Sequence, residues 1–471
     1  MRLSAETVRN DIAVPLVVLL FAMLIGASLA VLPPVFPLAV LVALAVVIVV
    51  FRYPIVGLIL TMGFIYRVIP AQLAVEIPLG GFKAKPYEFL LLLTAVSVLT
   101  KPAGRAAAYY GQKTITRIDL SSAILIATML LAFLVSRFIL GNHERSVIEA
   151  RGYLSLLALP LIPRLLASDK DWQRMTTVMI LMGALIAAYV LIQMATGFNI
   201  MGGRLEDLDL SKNSGVRRSL LFGGAVVMFS IYQLSEMAKP GNFAKTVPLL
   251  MLIAAGIIGT FTRSLWVSAA IGATLVAYLN GGVKSVLKVS ALGIFAVTTG
   301  LALAAIFEPK VVSAAVDRAA GIVTEFQSGE SYGWRVRENE FARKAIMEKP
   351  FTGVGLGGRY KPIEWSKGAF ENADYFIHNA YMGVVLKMGV LGILFLGTTI
   401  LLYRFAWQSG KKSQDHDYLM RRNSFAGVML GFFLGGFVSP SFLTFHGFLF
   451  LSICIIGTFP PVMAKISSPA R

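Results

Sequence analysis

Apolar runs of roughly 16–22 residues recur along the whole chain, each closed by a short polar stretch. That is the length of helix needed to cross about 30 Å of hydrocarbon. The runs do not alternate between apolar and polar positions, as the strands of a membrane barrel would. The pattern predicts fourteen spans, at roughly 13–32, 38–51, 54–69, 88–100, 119–140, 152–167, 175–196, 219–237, 246–261, 264–280, 286–307, 379–404, 424–439 and 441–463. The second, sixth and thirteenth are short, and Pro33, Pro34 and Pro37 mark the weakest boundary. The expected fold is all-α, a polytopic transmembrane bundle of about 12–14 helices. Met1–Asp11 carries both basic and acidic residues, and the first span lacks a convincing small-residue cleavage site. That span reads as a retained helix.

One polar stretch interrupts the pattern, residues 308–377. It is too long to be an idle connection. Val311–Phe326 carries apolar residues at helical spacing. So does Trp334–Lys349, where Trp334, Phe341, Ala345 and Ile346 stand against Arg335, Arg337, Glu338 and Arg343. Pro350 should end that second helix. The chain thus divides into spans one to eleven (1–307), a helical cap (308–377) and spans twelve to fourteen (378–471).

Composition agrees with a membrane protein. Of 471 residues, 56% are hydrophobic and only 14% charged, and the mean hydropathy is +0.74. The net charge of +18 resembles that of a nucleic-acid binder, but the basic residues lie between spans, not in one patch. They read as the Lys and Arg excess of cytoplasmic loops, and no nucleic-acid partner is expected. With fourteen spans, five basic loops (Lys101–Arg117, Lys170–Arg174, Lys239–Lys245, Lys284–Lys288 and Lys411–Arg422) share one side with both termini. That side is expected to be the cytoplasm. The cap has ten basic and ten acidic residues and so does not oppose an outside location. The single cysteine, Cys454, excludes a disulfide within the chain and a thiol metal site. No His, Asp or Glu cluster has metal-ligand spacing, and no cofactor is expected.

The candidate chemistry converges at the opposite, outer face. Arg217 and Arg218 precede the eighth span, Arg263 sits in the T-F-T-R-S turn at 260–264, and His378 precedes the twelfth span. Planar guanidiniums there suit phosphate or pyrophosphate, which they grip through two parallel hydrogen bonds. Taken alone, Arg217 and Arg218 read equally as anchors to lipid headgroups, and His378 as a helix cap. Arg263 stands where basic residues are disfavoured. Lys387 lies about 13 Å inside the twelfth span, where a charge is costly and tends to face a bundle interior. Arg137 and His446 are weaker candidates near span ends. The glycines of V-G-L-G-G (Val354–Gly358) resemble a phosphate loop, but no Lys-Ser/Thr follows, so a nucleotide site is rejected.

Three motifs in order carry a family resemblance: G-T-F-T-R-S-L-W (Gly259–Trp266), P-F-T-G-V-G-L-G (Pro350–Gly357) with H-N-A-Y (His378–Tyr381), and G-V-L-G (Gly389–Gly392). Together, over roughly 250–405, they resemble the O-antigen ligase and Wzy-type polymerase superfamily. The resemblance implies a metal-independent glycosyltransferase in the bacterial inner membrane with its active site facing the periplasm. The implied donor is a glycan on undecaprenyl pyrophosphate, and the acceptor is another glycan or lipid A–core. His378 would be the catalytic histidine, and Arg263 with Arg217 or Arg218 would hold the pyrophosphate. Arg335, Arg337, Asn379, Tyr381 and Lys387 complete the candidate substrate-binding set. Two departures are visible: Ser264 stands where the family often has glycine, and Arg218 is followed by S-L-L-F-G-G. The rival reading is a flippase or transporter of lipid-linked glycan, but such a conduit should line its spans with charge.

Overall fold

The computed structural model describes residues 35–74, 76–79, 82–199, 205–207, 217–219, 223–237, 243–307, 309–328, 330–362, 374–411, 413–440 and 444–462. The expected first span, 13–32, lies outside them. Chain order begins with α1 (Val35–Arg52), α2 (Pro54–Ile65), α3 (Pro86–Leu99), α4 (Gly104–Tyr110) and α5 (Gln112–Leu134). A five-residue π turn extends α5 through Val135–Ile139. Then follow α6 (His143–Gly152), α7 (Ala158–Leu165), α8 (Asp169–Thr196), α9 (Gly224–Met237), α10 (Phe243–Gly259) and α11 (Arg263–Phe307). The cap is α12 (Pro309–Ser328) and α13 (Glu330–Glu348), and the chain closes with α14 (Ala380–Met388), α15 (Val390–Ser409), α16 (His416–Gly435) and α17 (Phe445–Gly457). Two antiparallel strand pairs accompany the helices, β1 (Ile77–Leu79) with β2 (Phe82–Ala84) and β3 (Leu205–Asp207) with β4 (Arg217–Ser219).

This is an all-α membrane bundle. Among the described residues, four helices are long and apolar enough to cross a membrane alone: Gln112–Ile139, Asp169–Thr196, Arg263–Thr299 and Val390–Ser409. The pair α3 and α4, bent by 87°, passes the same test as one broken span. Shorter apolar helices, among them α2 and α17, fill the positions of other expected spans. The expected sixth span, 152–167, is instead a 3-10 turn, Tyr153–Leu157, followed by the eight-residue α7. Pro160 and Pro163 lie within it and remove backbone donors that a longer regular helix needs.

α17 is buried along nearly its whole length, from Phe445 to Gly457. A helix that is apolar all round belongs inside a bundle. α7, α16 and the Tyr153–Leu157 turn surround it. Phe229 of α9 stacks on Phe425 of α16 with ring centroids 4.6 Å apart, and Trp172 of α8 meets the same ring edge-on. α11 and α16 approach closely at Gly272 and Gly427, where an added Cβ on Gly272 would lie 2.7 Å from the Gly427 carbonyl. Small residues at such crossings let membrane helices touch backbone to backbone.

Two glycine breaks divide helices of the bundle, one at each end. α11 is two helices joined at Gly281 and Gly282, where Gly282 has φ +64° and ψ −155°. The break falls in the gap expected between the tenth and eleventh spans. The expected twelfth span is also divided, into α14 and α15, at Gly389 with φ +57°. A Cβ on Gly389 would sit 2.3 Å from the Phe351 carbonyl. The glycine turn after α13 packs into that break: Val354 N donates to Leu386 O at 2.8 Å, and Val390 N to Phe351 O at 3.3 Å. Only a residue without a side chain tolerates both the φ and the approach.

Candidate active site

The cap docks on α14 through a small apolar cluster of Ala342, Ala345, Val354, Ile377 and Leu386. Ala342 and Ala345 stand four and seven positions after Glu338, so Glu338 lies on the same, inward face of α13. It was expected on the polar face; it is instead 5% exposed. A buried carboxylate needs partners, and Glu338 has three. Its Oε2 accepts from the His378 backbone N at 3.1 Å and pairs with His378 Nδ1 at 2.8 Å. Its Oε1 accepts from Lys361 Nζ. Burial pushes the Glu338 carboxyl up, but the hydrogen bonds and charges of His378 and Lys361 outweigh it and leave it below the ordinary 4.5.

An ionised Glu338 defines the tautomer of His378. Nδ1 carries the proton and donates it to the carboxylate, so in the neutral ring Nε2 holds the lone pair. The side chain of His378 is 35% exposed, and the Phe376 ring meets it edge-on at 4.9 Å. The arrangement is that of a general base oriented by a carboxylate. The residues after His378 fix where it stands. Asn379 caps α14, its Oδ1 accepting from Tyr381 N and Met382 N. Ala380 N donates to Gly436 O at 2.8 Å, and Tyr381 donates its hydroxyl to Phe433 O at 2.7 Å.

Because the Glu338 carboxyl is depressed on folding, its ionised form stabilises the native state above the unfolded-chain value. That stabilisation is lost as pH falls through the depressed folded value. Thermal melts between pH 3 and 7 should therefore show the wild type losing stability on the acid side with a slope that Glu338→Gln lacks. Parallel curves for the two proteins would contradict the assignment.

Arg263 opens α11, two residues past Phe261, which takes the left-handed φ of +48°. Its Nε donates to Arg318 O of α12 at 3.0 Å, so the turn arginine lies against the cap. Gly321 of α12 leaves room for it: a Cβ there would fall 2.2 Å from Arg263 Nη2. Gly321→Ala should displace the guanidinium with little effect on folding, because the clash is with the end of a flexible side chain. Any activity that depends on Arg263 should fall with no more than about 1 kcal/mol of stability change. An unchanged activity would show that Arg263 does not act from this position.

A cavity of about 250 Å³ lies beside this turn, lined among others by Tyr66, Thr262, Ser264, Ser268, Gly435, Ser439 and His446. Its wall at Gly435 is one residue from Gly436, which holds Ala380. The cavity therefore runs from the arginine turn toward the backbone that carries His378. His446 Nε2 is paired with Thr444 Oγ1 at 3.1 Å.

The remaining expected residues fall elsewhere. Arg217 and Arg218 lie on β4, in register with Asp207 and Glu206; their side chains lie outside the described residues. Arg335 is half-buried and Arg337 exposed on α13. Lys387 is buried, its Nζ donating to Glu149 Oε1 at 2.9 Å and to Gly358 O at 3.0 Å. Arg137 Nη1 donates to His143 O at 2.6 Å. Sequence reasoning missed Glu338 as the partner of His378, and Lys361 as the partner of Glu338. The readable signal was a carboxylate in register with Ala342 and Ala345.

Residues 248–397 match the family Wzy_C, O-Antigen ligase. The match contains the arginine turn, the cap, the glycine turn, His378 and the Gly389 break. No curated protein matches the chain.

Proposed function

We propose, from the match of residues 248–397 to the O-antigen ligase family, that this membrane protein is a glycosyltransferase working on the periplasmic face of the bacterial inner membrane, with both termini cytoplasmic. It moves a glycan from an undecaprenyl-pyrophosphate donor to an acceptor glycan or lipid A–core. The observation that carries the reading is the pairing of His378 Nδ1 with the buried Glu338, two residues before Ala380, whose backbone N donates to Gly436 beside the cavity of the arginine turn.

The chemistry assigned to these groups balances. The acceptor hydroxyl attacks the anomeric carbon of the donor sugar. The new C–O bond forms as the C–O bond to pyrophosphate breaks, and the hydroxyl proton passes to His378 Nε2. Direct displacement inverts the anomeric centre. Glu338 holds the imidazolium that results, and Lys361 holds Glu338. Arg263, together with Arg217 or Arg218, offsets the charge on the departing pyrophosphate at the membrane surface. The donor arrives activated, so the proposed reaction is independent of metal and nucleotide.

Reconstitution tests this directly. The purified protein in liposomes, given lipid-linked glycan and acceptor in the presence of EDTA, should extend the acceptor and release undecaprenyl pyrophosphate. Movement of intact lipid-linked glycan across the bilayer without any release would identify a flippase and refute the transferase. The length of the product, one block or many, separates ligase from polymerase.

A further inference from the structure

We propose that a second cleft, lined in part by the glycine turn and separate from the Arg263 cavity, binds an anionic group (carboxylate or phosphate) on the acceptor saccharide. The inference rests on the transferase reading and adds a feature of its substrate. The cleft has a volume of about 540 Å³ and is lined by Gly141, Asn142, His143, Arg145, Gly357 and Arg359. It shares no lining residue with the cavity beside Arg263.

The cleft is built, not incidental. Asn142 Nδ2 donates to Val354 O at 3.0 Å, Leu356 N donates to Ser136 Oγ at 2.7 Å, and Gly357 N donates to Glu149 Oε2 at 2.7 Å. These bonds clamp the glycine turn to α6, its cap Asn142 and the π turn that ends α5. A Cβ on Gly357 would lie 2.5 Å from the Arg145 Cβ, so glycine lets the two walls meet. Asp374 is buried and holds the arginines in place, with Arg359 Nε at 2.8 Å and Arg145 Nη1 at 3.5 Å. The Arg145 guanidinium also lies over the Tyr375 ring, 4.5 Å from its centroid.

Charge decides the ligand class. Among the described side chains, Arg145 and Arg359 line this cleft, Arg137 donates to the carbonyl of its lining residue His143, and Asp374 is the carboxylate paired with Arg145 and Arg359. The nearby Glu149 is already bound to Lys387. Positive charge is therefore in excess, on a face where basic residues are disfavoured. A guanidinium fixed on one side by a carboxylate keeps further N–H donors for a planar or tetrahedral anion, and the Arg359 side chain is 58% exposed. Position ties the cleft to the reaction. Asp374 precedes His378 by four residues, a reach of at most about 14 Å. A short acidic saccharide seated here would extend toward Nε2.

The test uses the full chain in lipid nanodiscs and three probes: tetragalacturonate, phosphorylated maltotetraose and neutral maltotetraose. At least one acidic probe should bind about tenfold or more tightly than the neutral one, as expected for a charge-assisted pair. The preference should disappear in Arg359→Ala, whose exposed side chain spares the fold, and weaken in Arg145→Met. It should persist in Arg263→Ala and His378→Ala. Which acidic probe binds identifies carboxylate or phosphate. Equal binding of the neutral probe, or a preference unchanged in Arg359→Ala, overturns the proposal. Normal glycan transfer by His378→Ala would refute the transferase reading and leave the binding result standing.

Discussion

His378→Ala is expected to lower glycan transfer by about 100- to 10,000-fold, the range contributed by a positioned general base. Surface glycan should be lost on a gel while lipid-linked precursor accumulates, with protein level unchanged by blot. The fold should survive because the imidazole is partly exposed and the buried carboxylate beneath it keeps Lys361 as partner. His378→Gln is the sharper variant, since it keeps a hydrogen-bond donor toward Glu338 but supplies no base. If either variant makes normal glycan at normal protein level, His378 is a structural residue and the transferase reading loses its centre. A scaffold in polysaccharide export would give that outcome.

Much of this region was legible because its signals are local. The two cap helices were expected at Val311–Phe326 and Trp334–Lys349 and occur at Pro309–Ser328 and Glu330–Glu348. Their apolar spacing and Pro350 sufficed. The break inside α11 was legible from Gly281, Gly282 and the following lysines. The break at Gly389 was not, since apart from Lys387 the residues on both sides are apolar and one run of that length reads as one span. What divides it is the glycine turn nearly forty residues upstream, through Phe351 and Gly353. Glu338 was misplaced for a related reason. A carboxylate on a helix is assigned to water by default, and its partners Lys361 and His378 lie 23 and 40 residues away. Local periodicity carries no information about such pairings.

The same limitation hid the meaning of Lys387, and its partner leads to a large expected effect on stability. A charge at its depth reads as a candidate for substrate. The ammonium is instead 5% exposed and bonded to Glu149, 238 residues away in sequence. Glu149 in turn receives Gly357 N. The pair thus ties α6, α14 and the glycine turn together, directly behind the segment that carries His378. Lys387→Met should cost about 3–5 kcal/mol, because it leaves Glu149 charged and largely enclosed without its counterion. Lys387→Met with Glu149→Gln should recover most of that loss, since the remaining neutral amide can still accept from Gly357 N. A double-mutant cycle by denaturation in detergent measures the coupling. Two independent, additive losses would show that the pair contributes nothing as a pair. A Lys387→Met protein of normal stability that fails to transfer glycan would return Lys387 to the substrate. If the coupling is found, the depth of this charge reflects the joint between cap and bundle.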